Sequence, residues 1–184
     1  MPARSGVRVA LLAEDVACRT FGKRALLEMG FARDEIHELP IQNKGSGKKH
    51  VTVEYPKEVK QLRRKASFQR VALLVVTDVD ELTVKQRAEQ LAESLSQNQL
   101  PKRDDTEAIC LWLPKWHIQT WMAFLAGIEV TEDEDAKHKA RKLELKQMAL
   151  EFLVRYRLWR RNEEVAALPS MEAAFIETQR LPTS

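Results

Sequence analysis

A run of six apolar residues, Val71 to Val76, constrains the fold of this chain more than any other stretch. The run is rich in valine and leucine and does not alternate with polar residues, which is typical of a strand buried on both faces of a parallel sheet. Val7 to Ala13 and Ala108 to Leu113 predict companion strands, and Glu35 to Ile41 predicts a weaker one. Stretches with helical spacing of apolar residues separate these runs. The sequence therefore predicts an α/β fold, with a mainly parallel central sheet of about four strands flanked by helices.

The predicted helices follow the strands, and the last ones form a helical C-terminal part. Their apolar stripes and end signals place them at residues 16–29, 56–66, from Thr83 onwards, from about His117, at 137–161 and at 169–181. The helix at 137–161 is long and amphipathic, whereas the basic stretch 42–50 is predicted to be a flexible loop. No linker divides the chain, so we expect a single domain over residues 1–184, with its core at about 7–127 and its helical part at about 131–182.

The composition excludes several classes of protein. The chain has 184 residues, of which 44% are hydrophobic, and this is too apolar for a disordered protein. No apolar run is long enough to cross a membrane, and no targeting signal is visible, so we expect a cytoplasmic protein without membrane contact. Cys18 and Cys110 each lie in an apolar stretch, which predicts reduced core residues. The formal net charge of +3 permits nucleic-acid binding but does not argue for it.

Acidic residues follow two of the predicted strands. Glu14 comes directly after the first strand, and Asp78 and Asp80 come directly after the third. Ligands bind beyond the carboxyl ends of parallel strands, so these acids would share a site if the first and third strands are neighbours. Carboxylates this close repel one another, and Mg²⁺ or Mn²⁺ would relieve the repulsion. The alternative is that the acids cap a helix or are solvated in a loop, although Thr83 already provides the expected cap.

The order of several short motifs resembles the Toprim family, which has a Glu after its first strand and an Asp-x-Asp after its third. More specifically, the chain resembles a group of small bacterial Toprim-like proteins found near phage-defence genes. The resemblance covers most of residues 7–182 and is carried, besides the acids, by 45–47, 51–56, 62–63, 75–80, 114–121 and 168–170. It implies a Toprim-like sheet and a Mg²⁺- or Mn²⁺-dependent nuclease or phosphotransfer activity with Glu14, Asp78 and Asp80 as metal ligands.

One position departs from that group. Where its members usually read Asn-Ile-Glu-Thr-Trp, this chain reads His117-Ile118-Gln119-Thr120-Trp121. If the glutamate of the group is a ligand or a base, Gln119 lacks its charge, which puts catalysis in doubt more than the fold. His117 is a candidate for proton transfer or metal binding, although a lone histidine at a helix start is more often a local hydrogen-bonding group.

Basic residues supply the candidates for nucleic-acid binding. The stretch 45–49 reads Gly-Ser-Gly-Lys-Lys and fails the phosphate-loop pattern, because the first glycine and the Ser/Thr of that pattern are missing. The residues proposed to contact DNA or RNA are Lys44, Lys48, Lys49, Arg63 and Arg64.

Two functions remain open. The first is a metal-dependent nuclease or phosphotransfer enzyme acting on nucleic acid. The second is a non-catalytic subunit, regulator or inhibitor that binds another defence-system protein, such as an ATPase.

Overall fold

Four parallel strands form the centre of the fold in the part of the chain that the structure describes. The structure is a computed structural model, and it describes residues 6–41, 46–135, 137–140 and 144–182. The strands are β1 (Arg8–Ala13), β2 (Ile36–Glu38), β3 (Val71–Val76) and β4 (Ile109–Trp112), in the spatial order β2-β1-β3-β4. The predicted α/β class is confirmed, and the arrangement is consistent with a Toprim-like, Rossmann-type fold.

The first and third strands are direct neighbours. They pair in register over their whole length, from Arg8 opposite Val71 to Ala13 opposite Val76. The pairing continues one step further, because the backbone N–H of Glu14 donates to the carbonyl of Val76 at 3.0 Å. Residues that follow the two strands therefore emerge side by side at the carboxyl edge.

Six α-helices flank the sheet within the described residues. They are α1 (Val16–Glu28), α2 (Gly47–Lys65), α3 (Val84–Gln97), α4 (Ile118–Leu125), α5 (Leu145–Arg160) and α6 (Pro169–Thr178). One hydrophobic cluster packs α2 and α3 on one face, and a second packs α1, α4, α5 and α6 on the other. The chain moves from β1 to one side of it for β2 and returns to the other side for β3. The crevice between the ends of β1 and β3 is therefore the switch point at which such sheets bind ligands.

Helix α6 covers the outer strand β4. Glu177 accepts a hydrogen bond from the backbone N–H of Leu111 at 3.0 Å and two more from the guanidinium of Arg103. Thr178 accepts a hydrogen bond from the indole of Trp112 at 2.9 Å. An exposed strand edge invites pairing with other chains, and these contacts close it.

The second helix begins nine residues earlier than predicted. Gly47–Lys65 is one helix, which starts inside the stretch predicted to be a loop and contains Pro56. Its apolar stripe of Val51, Tyr55, Val59 and Leu62 is buried against the sheet. Burial of that stripe outweighs the weak helix propensity of the glycine and the proline, which had suggested a later start.

The long amphipathic helix predicted at residues 137–161 is shorter in the structure. Residues 137–140 form a 3-10 helix, α5 spans Leu145–Arg160, and residues 141–143 lie outside the described part of the chain.

Both cysteines are free and buried, as predicted. Trp112 and Trp121 are also buried and pack around Phe152 in the core. Among the described residues, no helix is both long and apolar enough to cross a membrane.

Candidate functional site

Glu14 and Asp78 meet across the ends of β1 and β3. One carboxylate oxygen of Glu14, Oε2, accepts hydrogen bonds from the hydroxyl of Thr77 at 2.7 Å and from the backbone N–H of Asp78 at 2.9 Å. Burial raises the pKa of Glu14 above its usual range, and the charge of Asp78 adds to the rise. The hydrogen bonds and the charge of Lys48 lower the pKa of Glu14 again, so the site counteracts only part of the cost of burial.

Asp78 is almost fully buried and joins β3 to the start of α4. Its Oδ1 accepts a hydrogen bond from the backbone N–H of Ile118 at 2.9 Å, and its Oδ2 lies 3.0 Å from Nδ1 of His117. A carboxylate at a helix N-terminus is stabilised by the free N–H groups there. Asp78 therefore has a structural role as the cap of α4, in addition to any role as a ligand.

Asp80 is held by the loop that follows β4. Its backbone forms a bridge with Trp116, and both residues have positive φ angles, of 51° and 63°. The ammonium group of Lys115 donates to the carbonyls of Asp80 and Leu82. A left-handed backbone is uncommon for aspartate and is strained for a tryptophan. The surrounding contacts therefore fix the Asp-x-Asp segment in one conformation.

His117 connects several of the acids. Its Nδ1 lies 3.0 Å from Oδ2 of Asp78 and 3.7 Å from Oδ1 of Asp80, and its Nε2 lies 3.4 Å from Asp135. The segment that carries Asp135 is attached to the same edge through Glu132, which accepts hydrogen bonds from Ser170 at the start of α6. The imidazole of His117 therefore lies within 3.7 Å of carboxylate oxygens of three acids.

The described residues contain a group whose ligand atoms could hold a metal ion: Asp15, Cys18 and Asp78, with these atoms within 4.8 Å of one another. Burial raises the pKa of the Cys18 thiol well above its usual range, and the charges of Asp78 and Asp15 add to the rise. The thiol donates to Oδ1 of Asp78 at 3.5 Å. A protonated thiol is a poor ligand for a hard cation, so the carboxylates are the useful ligands here.

The predicted triad is only partly assembled around one point. Glu14 and Asp78 lie together, whereas the carboxylate of Asp80 forms an ion pair with Lys48. Of the three predicted ligands, the group with metal-ligand spacing includes Asp78 alone. A cation bound by all three would require Lys48 to release Asp80.

The predicted nucleic-acid contacts separate into two places. Lys48 and Lys49 lie in the first turn of α2, where Lys48 pairs with Asp80. Arg63 and Arg64 lie at the other end of α2, about 24 Å along the helix axis at 1.5 Å per residue. Arg63 is also occupied by an ion pair with Glu107, so these two arginines do not flank the acids. Lys44 lies outside the described residues.

Gln119 is partly buried in the first turn of α4, immediately after Ile118. The start of α4 is bonded to Asp78, so Gln119 lies at the same edge as the acids. The sequence interpretation missed Thr77, Lys115, Asp135 and Arg87, which all contact the site or its supports. Of these four residues, Thr77 was the one whose sequence position could have revealed it, because it directly follows β3.

No protein-family model, no curated protein and no solved structure matches this chain.

Proposed function

We propose that the carboxyl edge of the sheet binds Mg²⁺ or Mn²⁺ and supports nucleic-acid cleavage or another phosphoryl transfer, as in the Toprim proteins that the sequence resembles. The observation that carries this proposal is the meeting of Glu14 and Asp78 at the ends of neighbouring parallel strands. Hard oxygen ligands at this position suit a divalent cation. The motif order of the sequence supports a setting in phage defence.

The residues of the edge divide into three roles under this proposal. Glu14, Asp78 and Asp80 hold the cation, which would polarise the phosphate and lower the pKa of bound water. His117 holds or transfers a proton, because its ring lies between Asp78 and the exposed Asp135. Lys48 and Lys49 contact phosphate oxygens at the start of α2.

Lys48 links the proposed cation site to the proposed phosphate-binding site. It pairs with Asp80 and lowers the pKa of Glu14. When a cation takes Asp80, Lys48 is released and can pair with a phosphate group instead. Cation and nucleic acid should therefore bind cooperatively.

Salt dependence of binding tests the nucleic-acid part of the proposal. Each phosphate contact contributes about −0.9 to the slope of log K against log salt for duplex DNA. In the presence of Mn²⁺, Lys49→Ala should reduce the size of the slope by about one. Arg64→Ala, a matched change at the far end of α2, should leave it unaltered. Equal effects of the two variants on the slope would show that nucleic acid does not bind at the carboxyl edge.

The enzymatic part of the proposal is tested by measuring cleavage of two substrates, plasmid DNA and single-stranded RNA, in the presence of Mn²⁺. The wild type should cleave one of them, and Asp80→Asn should lower the rate by at least about 100-fold, because it removes a charged ligand. Absence of cleavage by the wild type on both substrates would contradict the enzymatic proposal.

A second candidate, a non-catalytic protein that binds a partner such as an ATPase, is favoured by a separate observation. Glu14, Asp78 and Asp80 each have hydrogen bonds or ion pairs within the protein, and Gln119 replaces the glutamate usual in the group. In that case the acids fix loops rather than a cation. Asp80→Asn would then alter the melting temperature with and without Mn²⁺ equally.

A further inference from the structure

Arg87 is a buried arginine behind the acidic edge. It lies in the first turn of α3 with 3% of its surface exposed. Burial lowers the pKa of its guanidinium, and the charge of Glu14 raises it again. Its Nε has no hydrogen-bond partner among the described residues. Burying a charged group with an unpaired N–H is costly, so its contacts require an explanation.

The guanidinium is directed at the residues that support Glu14. One terminal nitrogen donates to the hydroxyl of Thr77 at 3.1 Å and to the carbonyl of Lys48 at 3.3 Å. The other donates to the hydroxyl of Thr52 at 3.2 Å and to the side chain of Gln90 at 3.1 Å. Arg87 thus joins α3 to the start of α2 and to the end of β3.

The chemistry of arginine sets the direction of the next hydrogen bond. A guanidinium has donors and no acceptor, so the hydroxyl oxygen of Thr77 must accept from it. The one proton of that hydroxyl is then available for Glu14, whose Oε2 lies 2.7 Å away. Thr77 is fully buried, so water does not compete for the hydrogen bonds of its hydroxyl group.

We propose that Arg87 is a positioning residue, which acts through the hydroxyl of Thr77 to fix the carboxylate of Glu14 against the backbone of Asp78. Both hydrogen bonds to Glu14 from the described residues fall on Oε2, so the second oxygen is left for another ligand. The positioning rests on these contacts alone. Its use in holding a cation rests on the proposed function.

The backbone amide of Asp78 reports on the positioning without any metal. In ¹⁵N NMR spectra of the metal-free chain, Arg87→Met and Thr77→Val should shift this amide and speed its hydrogen exchange about tenfold, since its acceptor is no longer held. Thr77→Ser keeps the hydroxyl and should restore wild-type behaviour. Arg103→Met removes another paired arginine, which bonds to Glu177 and to the carbonyl of Ile109, and should destabilise the protein without altering the Asp78 amide.

The affinity for Mn²⁺, measured by calorimetry, reports on the use of that position. Arg87→Met and Thr77→Val should each weaken binding about 10- to 100-fold, which is usual when a group that orients a ligand is lost. The double variant should be no weaker than the weaker single variant, because both changes break the same path.

The outcomes separate the two proposals. An unchanged Asp78 amide in Thr77→Val, or additive effects in the double variant, would overturn the role of Arg87. If Arg87→Met does not fold, the pair Thr77→Val and Thr77→Ser still tests the step through the Thr77 hydroxyl, on which the role of Arg87 depends. A responsive amide in a wild type that binds no Mn²⁺ would support the positioning and contradict the proposed function.

Discussion

At the scale of single residues, Glu14 shows the conflict between stability and a charged site. Burial raises its pKa, so its ionised form is less favourable in the folded protein than in the unfolded chain. The contribution of Glu14 to folding is most favourable when the carboxyl group is protonated. It declines as the pH rises from the ordinary pKa of glutamate to the raised one, and stays lower above that.

Glu14→Gln should therefore stabilise the metal-free protein at neutral pH. The amide can still accept from Thr77 and Asp78 but carries no charge, so its advantage should shrink as the pH falls through the range in which Glu14 is protonated. Thermal melts in the presence of a chelator, at several values between about pH 4 and about pH 8, measure this difference. Glu164→Gln, an exposed counterpart, should show little effect. A loss of stability in Glu14→Gln that is the same at every pH would contradict this account.

Gln119 tests the meaning of the departure from the Toprim-like group. Gln119→Glu would return a carboxylate to the edge near Asp78, so it should tighten Mn²⁺ binding and destabilise the metal-free protein by added repulsion. Bound metal should more than offset that loss, because a ligand of the folded state stabilises it.

Melting temperatures of wild type and Gln119→Glu, with and without Mn²⁺, provide the measurement. Gln61→Glu adds the same charge on the exposed face of α2 and should leave the metal-induced shift unchanged. If Gln119→Glu also leaves that shift unchanged, Gln119 is not part of the site.

At the scale of secondary-structure elements, α6 determines whether the sheet has an open edge. Glu177 combines two tasks, since it pairs with Arg103 and accepts from the backbone of β4. Residues of α6 also reach the acidic edge, because Ser170 accepts hydrogen bonds from the backbone of Lys115 and the indole of Trp121. The helix thus supports the loop that holds Asp80.

Removal of the Glu177 side chain should therefore be costly. Glu177→Ala removes the carboxylate that accepts from both Arg103 and the N–H of Leu111, and we expect it to lower the free energy of unfolding by about 2–4 kcal/mol. Urea titration measures this loss, and the exposed Glu172→Ala is the control on the same helix. A change in Glu177→Ala no larger than that in the control would show that α6 does not hold β4.

At the scale of the whole molecule, the fold was more predictable than the site. The runs that became β1, β3 and β4 are buried on both faces, so their composition alone identified them. The start of α2 was missed because Gly47 and Pro56 have weak helix propensity, and only the packing of its apolar stripe on the sheet makes it helical. Burial against a sheet is a tertiary effect that local propensity does not contain.

The site was predictable only where position after a strand reveals it. Glu14 and Asp78 were placed correctly at one edge because β1 and β3 are neighbours. Arg87 carries no such signal, since an arginine in an amphipathic helix normally lies on the solvated face. The ion pair of Asp80 with Lys48 also depends on how α2 approaches the end of β1. There a Cβ on Gly47 would lie 2.5 Å from the carbonyl oxygen of Glu14.

Direct measurement of Mn²⁺ binding tests the central claim, that the acids at the carboxyl edge hold one divalent cation. Asp80 is the best residue to replace, because it is partly exposed, whereas Asp78 also caps α4. By titration calorimetry, the wild type should bind one Mn²⁺, and Asp80→Ala should weaken binding at least about tenfold through loss of a carboxylate ligand. Asp105→Ala, an exposed acid before β4, should bind as the wild type does. No binding by the wild type, or equal binding by Asp80→Ala, would contradict the account.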